Sequence, residues 1–377
     1  MRIVIDARYL TGYYSGIGEY SENLLENLSI LDHENEYICF VQRDYSGGID
    51  LGENFKLVPF DFPPLSLKTV FLLHKEIKRF KPDFFHSLFP VTPIFFRGKL
   101  LVTVHDLQPL LMTEWTGKRF FPVKKVYDLF YRWMYPHSFR HANWLISVSQ
   151  ATRDTLSQMM PELSDKTIVV HSGISEDAFS EPDPDIFETL KKKHDIPDRY
   201  ILYVGSTRPN KNLPRMIGAF ARLLKSSEQY ADVCFVMILT PDRFMADVKH
   251  SIETLQLESN IRILEPVSRA EKFALYRYAR LLFFATMLEG FGFPLLEAQA
   301  QGCPVITSNH HSLPEIAGKT ALLCDPEKEE EMTQNLDKLL SDDILRQELI
   351  DKGFKNAKRF SWKSTASKVL EIYRHLM

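Results

Sequence analysis

Short apolar runs rich in Val, Ile, Leu and Phe alternate with longer segments of helical periodicity over almost all of this 377-residue chain. No other feature restricts the fold as much. A strand buried on both faces reads as a continuous apolar run, and a helix between two such runs returns the chain to the same end of a parallel sheet. In the first half the pattern predicts strands at 2–6, 37–42, 56–59, 84–88, 100–105, 144–149 and 168–171. In the second half it predicts 200–205, 233–239, 261–264, 281–285, 304–307 and 321–324. Helical segments fall at 18–31, 67–80, 213–225, 244–255, 270–279 and 295–301, and a last one at 362–376 follows Ser361, a suitable cap. The expected class is α/β, with two Rossmann-like doubly wound parallel sheets.

The length suits two domains. Ser180-Glu181-Pro182-Asp183-Pro184-Asp185 places two prolines and three acids in six residues and reads as a linker. That puts the first domain at 1–180 and the second at 195–360. A net charge of −3 gives no global field for nucleic acid, so an anionic partner has to be recognised locally. Cys39, Cys234, Cys303 and Cys324 form no CxxC pair, which points to buried thiols in a reducing compartment rather than zinc or disulfides. The N-terminus enters a strand without signal-peptide anatomy, and no apolar run is long enough to span a bilayer. The expected location is the cytoplasm, with peripheral attachment to the inner face of the cell membrane left open.

Four segments carry chemistry. Glu289-Gly290-Phe291-Gly292-Phe293-Pro294-Leu295-Leu296-Glu297 follows an apolar strand and opens a helix. Gly290 and Gly292 allow close backbone approach, Pro294 suits a first helical turn, and the helix N-terminus favours a phosphate or an electron-rich hydroxyl. Glu289 lies where open α/β sheets bind ligands, and Glu297 can accept from a diol such as a ribose. The second segment, Gly205-Ser206-Thr207-Arg208-Pro209-Asn210-Lys211, sets Arg208 and Lys211 beside a helix start. It is either a diphosphate cradle or an ordinary turn with two solvated cations, and it lacks Walker A spacing. In the third, Gly16 and Gly18 open a helix, but Ser21 fills the third position of a dinucleotide fingerprint. In the fourth, a strand ends in His105-Asp106, where the histidine is either structural or a donor to a sugar hydroxyl or leaving phosphate. No metal site emerges: Asp183-Pro184-Asp185 sits in the polar linker, not at a strand end.

Taken together, these segments resemble the retaining GT-B glycosyltransferases (family 4, group 1 type) that include bacterial mannosyl-, glucosyl- and N-acetylglucosaminyltransferases. The resemblance spans essentially the whole chain. It rests on the Glu289 and Glu297 pair, the Gly16-Ile17-Gly18-Glu19-Tyr20 loop, His105-Asp106, Ile146-Ser147-Val148-Ser149, and the run Ser308 to Ile316 that contains Leu313-Pro314-Glu315-Ile316. It implies two Rossmann domains facing a cleft, a donor-binding C-terminal domain, and a final helix, 361–377, packing back on the first. It implies that Glu289 contacts donor-sugar hydroxyls, Glu297 the ribose and Lys211 the diphosphate. Backbone groups of Gly290, Phe291, Gly292 and Phe293 would line the sugar and diphosphate, with Gly205, Ser206 and Val267 completing the nucleotide-sugar contacts. Gly16 and Gly18 would approach the donor phosphate, and His105 the sugar near its reacting carbon. The family's Gly-Arg pair is broken here, because Ser206 follows Gly205 and the arginine is displaced to Arg208. The implied reaction needs no metal and no cofactor beyond a nucleoside-diphosphate sugar. GDP-mannose is the first donor, a UDP-hexose or UDP-N-acetylhexosamine the second, and the acceptor is a glycan or lipid-linked saccharide.

The basic, aromatic stretch 118–141 can lie on an anionic membrane or serve as a domain helix with a solvated basic face. A nucleotide-sugar epimerase and a non-catalytic GT-B partner subunit are the rival functions. An NAD oxidoreductase fits less well, given the incomplete glycine fingerprint.

Overall fold

The computed structural model describes residues 1–10, 15–45, 47–112 and 121–376, with only the backbone of 121–124. The chain divides into two units: Met1–Gly173 with Phe360–Met377, and Ile174–Arg359.

In the first unit the described strands are β1 (Arg2–Asp6), β2 (Glu36–Gln42), β3 (Phe55–Phe60), β4 (Phe84–Ser87), β5 (Lys99–Val104), β6 (Trp144–Ser147) and β7 (Thr167–Val169). They form one sheet in the order β3-β2-β1-β4-β5-β6-β7. Every pair is parallel, with Val4 between Ile38 and Phe85 at the centre. Strand order reverses between β1 and β4, so a crevice opens beyond their carboxyl ends. Val4, Phe40, Leu73, Phe85, Val102 and Leu145 belong to one core cluster.

Helix Trp362–His375 packs on helix Gly16–Leu31 and completes this unit. Ser361 caps it by accepting from the Ser364 amide at 3.1 Å. Tyr373 is buried and its Oη lies 2.7 Å from His86 Nδ1, while His86 Nε2 lies 2.9 Å from Thr103 Oγ1. The helix start lies so close to Gly173 that a Cβ there would collide with the Trp362 nitrogen.

The second unit contains β8 (Tyr200–Ser206), β9 (Cys234–Thr240), β10 (Ile261–Leu264), β11 (Leu281–Phe284), β12 (Val305–Ser308) and β13 (Leu322–Cys324). Their order, β10-β9-β8-β11-β12-β13, again reverses, here between β8 and β11, and all pairs are parallel. Each of the thirteen described strands overlaps a run expected from the sequence. The four cysteines are buried free thiols.

One expectation is corrected. The segment read as a linker starts a helix, Pro184–His194, and residues 174–194 belong to the second unit. Asp183 accepts from the Asp185 amide at 3.0 Å, and Pro184 sits in the first turn, where no N–H is needed. Phe187 of this helix stacks on Tyr278 with ring centroids 4.2 Å apart.

Candidate functional site

At the switch point of the second unit, two loops are stitched together. Gly205 and Ser206 end β8, and the Ser206 carbonyl accepts from Tyr203 Oη at 3.0 Å. The Thr207 hydroxyl bonds Asp242. Arg208 is exposed and precedes a short 3-10 turn, Pro209–Lys211. Asn212 holds a left-handed φ of 59°, a conformation asparagine tolerates. Its Nδ2 donates to the carbonyls of Ala285 (3.0 Å) and Pro326 (2.7 Å). The Met287 amide donates to the Asn210 carbonyl at 2.7 Å, and Asn210 Nδ2 donates to the Leu288 carbonyl at 3.1 Å. This stitching brings Lys211 Nζ to 2.6 Å from Glu289 Oε1, with side chains only 17% and 10% exposed. Among the described residues Asn210 Oδ1 and Thr286 Oγ1, both buried there, have no hydrogen-bond partner, and a ligand or water can satisfy them.

The turn after Glu289 reaches a φ of 105° at Gly292 and enters helix Phe293–Ala300, whose start has no side-chain cap. A Cβ on Gly292 would lie 2.7 Å from Leu313 Cδ2. Ser312 Oγ lies 2.9 Å from the Glu289 carbonyl and 3.2 Å from that of Phe291, so the Leu-Pro-Glu-Ile segment buttresses the turn. Uncapped amides and the helix dipole make this a favourable place for negative charge.

Glu297 lies apart from that pair. It is 3% exposed, with Lys272 Nζ 2.5 Å from Oε1 and Tyr276 Oη donating to Oε2 at 3.1 Å. Val267 is half-buried just before Ser268, which forms a capping box with Glu271 at the start of helix Arg269–Tyr278.

His105, Gly16 and Gly18 belong to the first unit. His105 Nε2 lies 2.9 Å from the Leu88 carbonyl, which can only accept, so Nε2 carries the proton and Nδ1 is an acceptor. Burial pushes its pKa down to about 4. In this tautomer the neutral ring offers an acceptor at Nδ1. Gly18 is buried and its amide donates to Ser15 Oγ at 2.9 Å, while Gly16 is exposed.

The sequence reading missed Asn210, Asn212, Lys272, Tyr276 and Ser312, whose roles arise from contacts between distant segments. It also missed the buried Asp6 and Arg8 pair at the end of β1. There Arg8 Nη2 lies 2.7 Å from Asp6 Oδ2, and Arg8 also donates to Thr69 Oγ1 and the Phe62 carbonyl. An Asp-x-Arg at a strand end is the available signal. Among the described residues no cluster of three His, Cys, Asp or Glu side chains could hold a metal ion.

Residues 14–178 match the family described as Glycosyltransferase Family 4, and residues 186–356 match Glycosyl transferases group 1. An Escherichia coli protein named O-antigen chain mannosyltransferase B is 24% identical, with both chains covered in full. The E. coli serotype-specific mannosyltransferase WbdA is 26% identical over 74% of this chain, and this chain spans only 34% of that longer protein. In fold, the chain is similar to Anabaena Alr3699/HepE, solved in complex with UDP-glucose, with a TM-score of 0.74, 14% identity and full coverage of both chains. With two doubly wound units and both domain families matched in order along the chain, the chain belongs to the GT-B glycosyltransferases.

Proposed function

We propose that the chain is a retaining, metal-independent hexosyltransferase that moves mannose from GDP-mannose to a glycan or lipid-linked saccharide in cell-surface polysaccharide synthesis. The observation that carries this reading is the Lys211–Glu289 pair, fixed by asparagine stitching at the carboxyl ends of β8 and β11. Lys211, Arg208 and the start of helix Phe293–Ala300 supply positive charge for a departing diphosphate. Glu289 accepts from donor-sugar hydroxyls, and Glu297 from the ribose. The acceptor hydroxyl attacks from the leaving-group face and its proton passes to the departing phosphate oxygen, so the anomeric configuration is retained. His105 accepts from a sugar hydroxyl through Nδ1. The names of the E. coli relatives support mannose, whereas the UDP-glucose complex of the Anabaena fold relative favours a UDP-hexose as the second reading.

Thermal-shift measurements with GDP, UDP, ADP, TDP and CMP, with and without EDTA, test the donor. We expect stabilisation by GDP that EDTA leaves unchanged. No stabilisation by any nucleotide would remove the reading and favour a partner subunit. NMR of the product tests retention: an inverted product, or a glycosyl ester trapped on Glu289 of the unmodified protein, would contradict the mechanism.

We also propose that the first unit docks on an anionic membrane at an inner, cytoplasmic face. Lys118 and Arg119 lie outside the described residues, but helix Phe121–His141 exposes Lys125, Val126, Leu129, Arg132 and Trp133. Helix Leu67–Arg79 adds exposed Leu67, Lys68, Phe71 and Lys75, with Phe95 6.3 Å from Phe71. Among the described residues no helix is long and apolar enough to cross a membrane. Flotation with phosphatidylserine vesicles should show salt-sensitive binding that falls in a Leu129→Glu/Trp133→Glu variant. No flotation at low salt would dismiss it.

A further inference from the structure

Glu297, a carboxylate expected to meet a ligand, is itself held by two side chains of a neighbouring helix. Lys272 and Tyr276 stand four residues apart on helix Arg269–Tyr278, so both project from one face toward helix Phe293–Ala300. Each takes one oxygen of Glu297, at 2.5 Å and 3.1 Å. Tyr276 is fully buried, and the Lys272 and Glu297 side chains are 12% and 4% exposed. A carboxylate held on both oxygens cannot rotate, and its unused lone pairs keep fixed directions. A nearly buried carboxylate without its cation would turn toward water or find another donor.

We propose that Lys272, with Tyr276, is a positioning residue that sets Glu297 to receive the ribose hydroxyls of the nucleotide and thereby makes the site select ribonucleotides. The inference rests on the reading of Glu297 as the ribose acceptor. Lys272 acts through Glu297, so its removal weakens only the part of binding that the ribose hydroxyls supply. A simple brace between two helices would instead weaken all nucleotides alike.

The test compares dissociation constants of GDP and 2′,3′-dideoxy-GDP, or the UDP pair should the panel select uridine. The unmodified protein should prefer the ribonucleotide, and Glu297→Gln should abolish that preference. If Glu297→Gln leaves it intact, the ribose reading itself falls. With that arm satisfied, Lys272→Met should lose the preference by about tenfold. Its dideoxynucleotide affinity should stay within about twofold of the unmodified protein, and Lys272→Arg should restore the preference. Tyr276→Phe, which keeps the cation, should lose part of it and guards against a Lys272→Met chain that does not fold. A Lys272→Met protein that retains the preference, or weakens both nucleotides equally, overturns the inference.

Discussion

The Lys211–Glu289 pair shows how far a site can depend on partners that never meet a ligand. Both side chains are mostly buried, so removing either leaves a poorly solvated charge. Lys211→Met or Glu289→Gln should each lower stability, by about 3 kcal/mol for the lysine change. The double variant should be more stable than the sum of the single losses implies, which urea titration of all four proteins will show. If Lys211 holds the diphosphate, Lys211→Met should also reduce kcat/KM by ~10²–10³-fold. His105 supports a prediction of the opposite kind. Its pKa is held down to about 4 by burial, against an ordinary ~6.5 in the unfolded chain. The unfolded chain therefore binds more protons between those values, and stability is lost as pH falls from about 6.5 toward about 4. His105→Gln, whose amide can still donate to the Leu88 carbonyl, should show a shallower loss in urea midpoints between pH 7 and pH 4.5. Activity above pH 6 should show no protonation step assignable to this histidine.

Elements were legible where periodicity alone decides them. Each strand of both sheets could be placed from its apolar run, and Gly290, Gly292 and Pro294 marked the turn into helix Phe293–Ala300. The helix from Pro184 was read as linker because its cap, first-turn proline and acids have the composition of a loop; only the packing of Phe187 on Tyr278 reveals it. The Glu289 and Glu297 spacing was visible, but not their division between two separate lysines, because Lys211 and Lys272 reach them from other segments. The turn itself can be tested. At Gly292 a side chain meets both a left-handed φ and Leu313. Gly292→Ala should cost about 1–3 kcal/mol, measured by thermal or urea unfolding. Gly292→Ala combined with Leu313→Ala should relieve the clash but not the backbone strain.

At the scale of the whole molecule the two units differ in how the chain is laid out. Residues 174–359 are continuous, whereas the first unit needs 360–377 to cover helix Gly16–Leu31 and to bring Tyr373 to His86. A fragment of 174–359 should fold and retain the nucleotide stabilisation seen with the full chain. A fragment of 1–173 should not fold cooperatively, and joining 360–377 to its end should restore a two-state unfolding transition. This layout also imposes an order of birth. On the ribosome the first sheet is complete long before its closing helix exists, and at 5–20 residues per second the intervening 186 residues take roughly 10–40 s to make. Throughout that interval the unit synthesised first stays open along one face, whereas the unit synthesised second has all its residues as soon as its own synthesis ends. The amino-terminal half is therefore the part of the nascent chain that most needs shelter from its neighbours on a polysome.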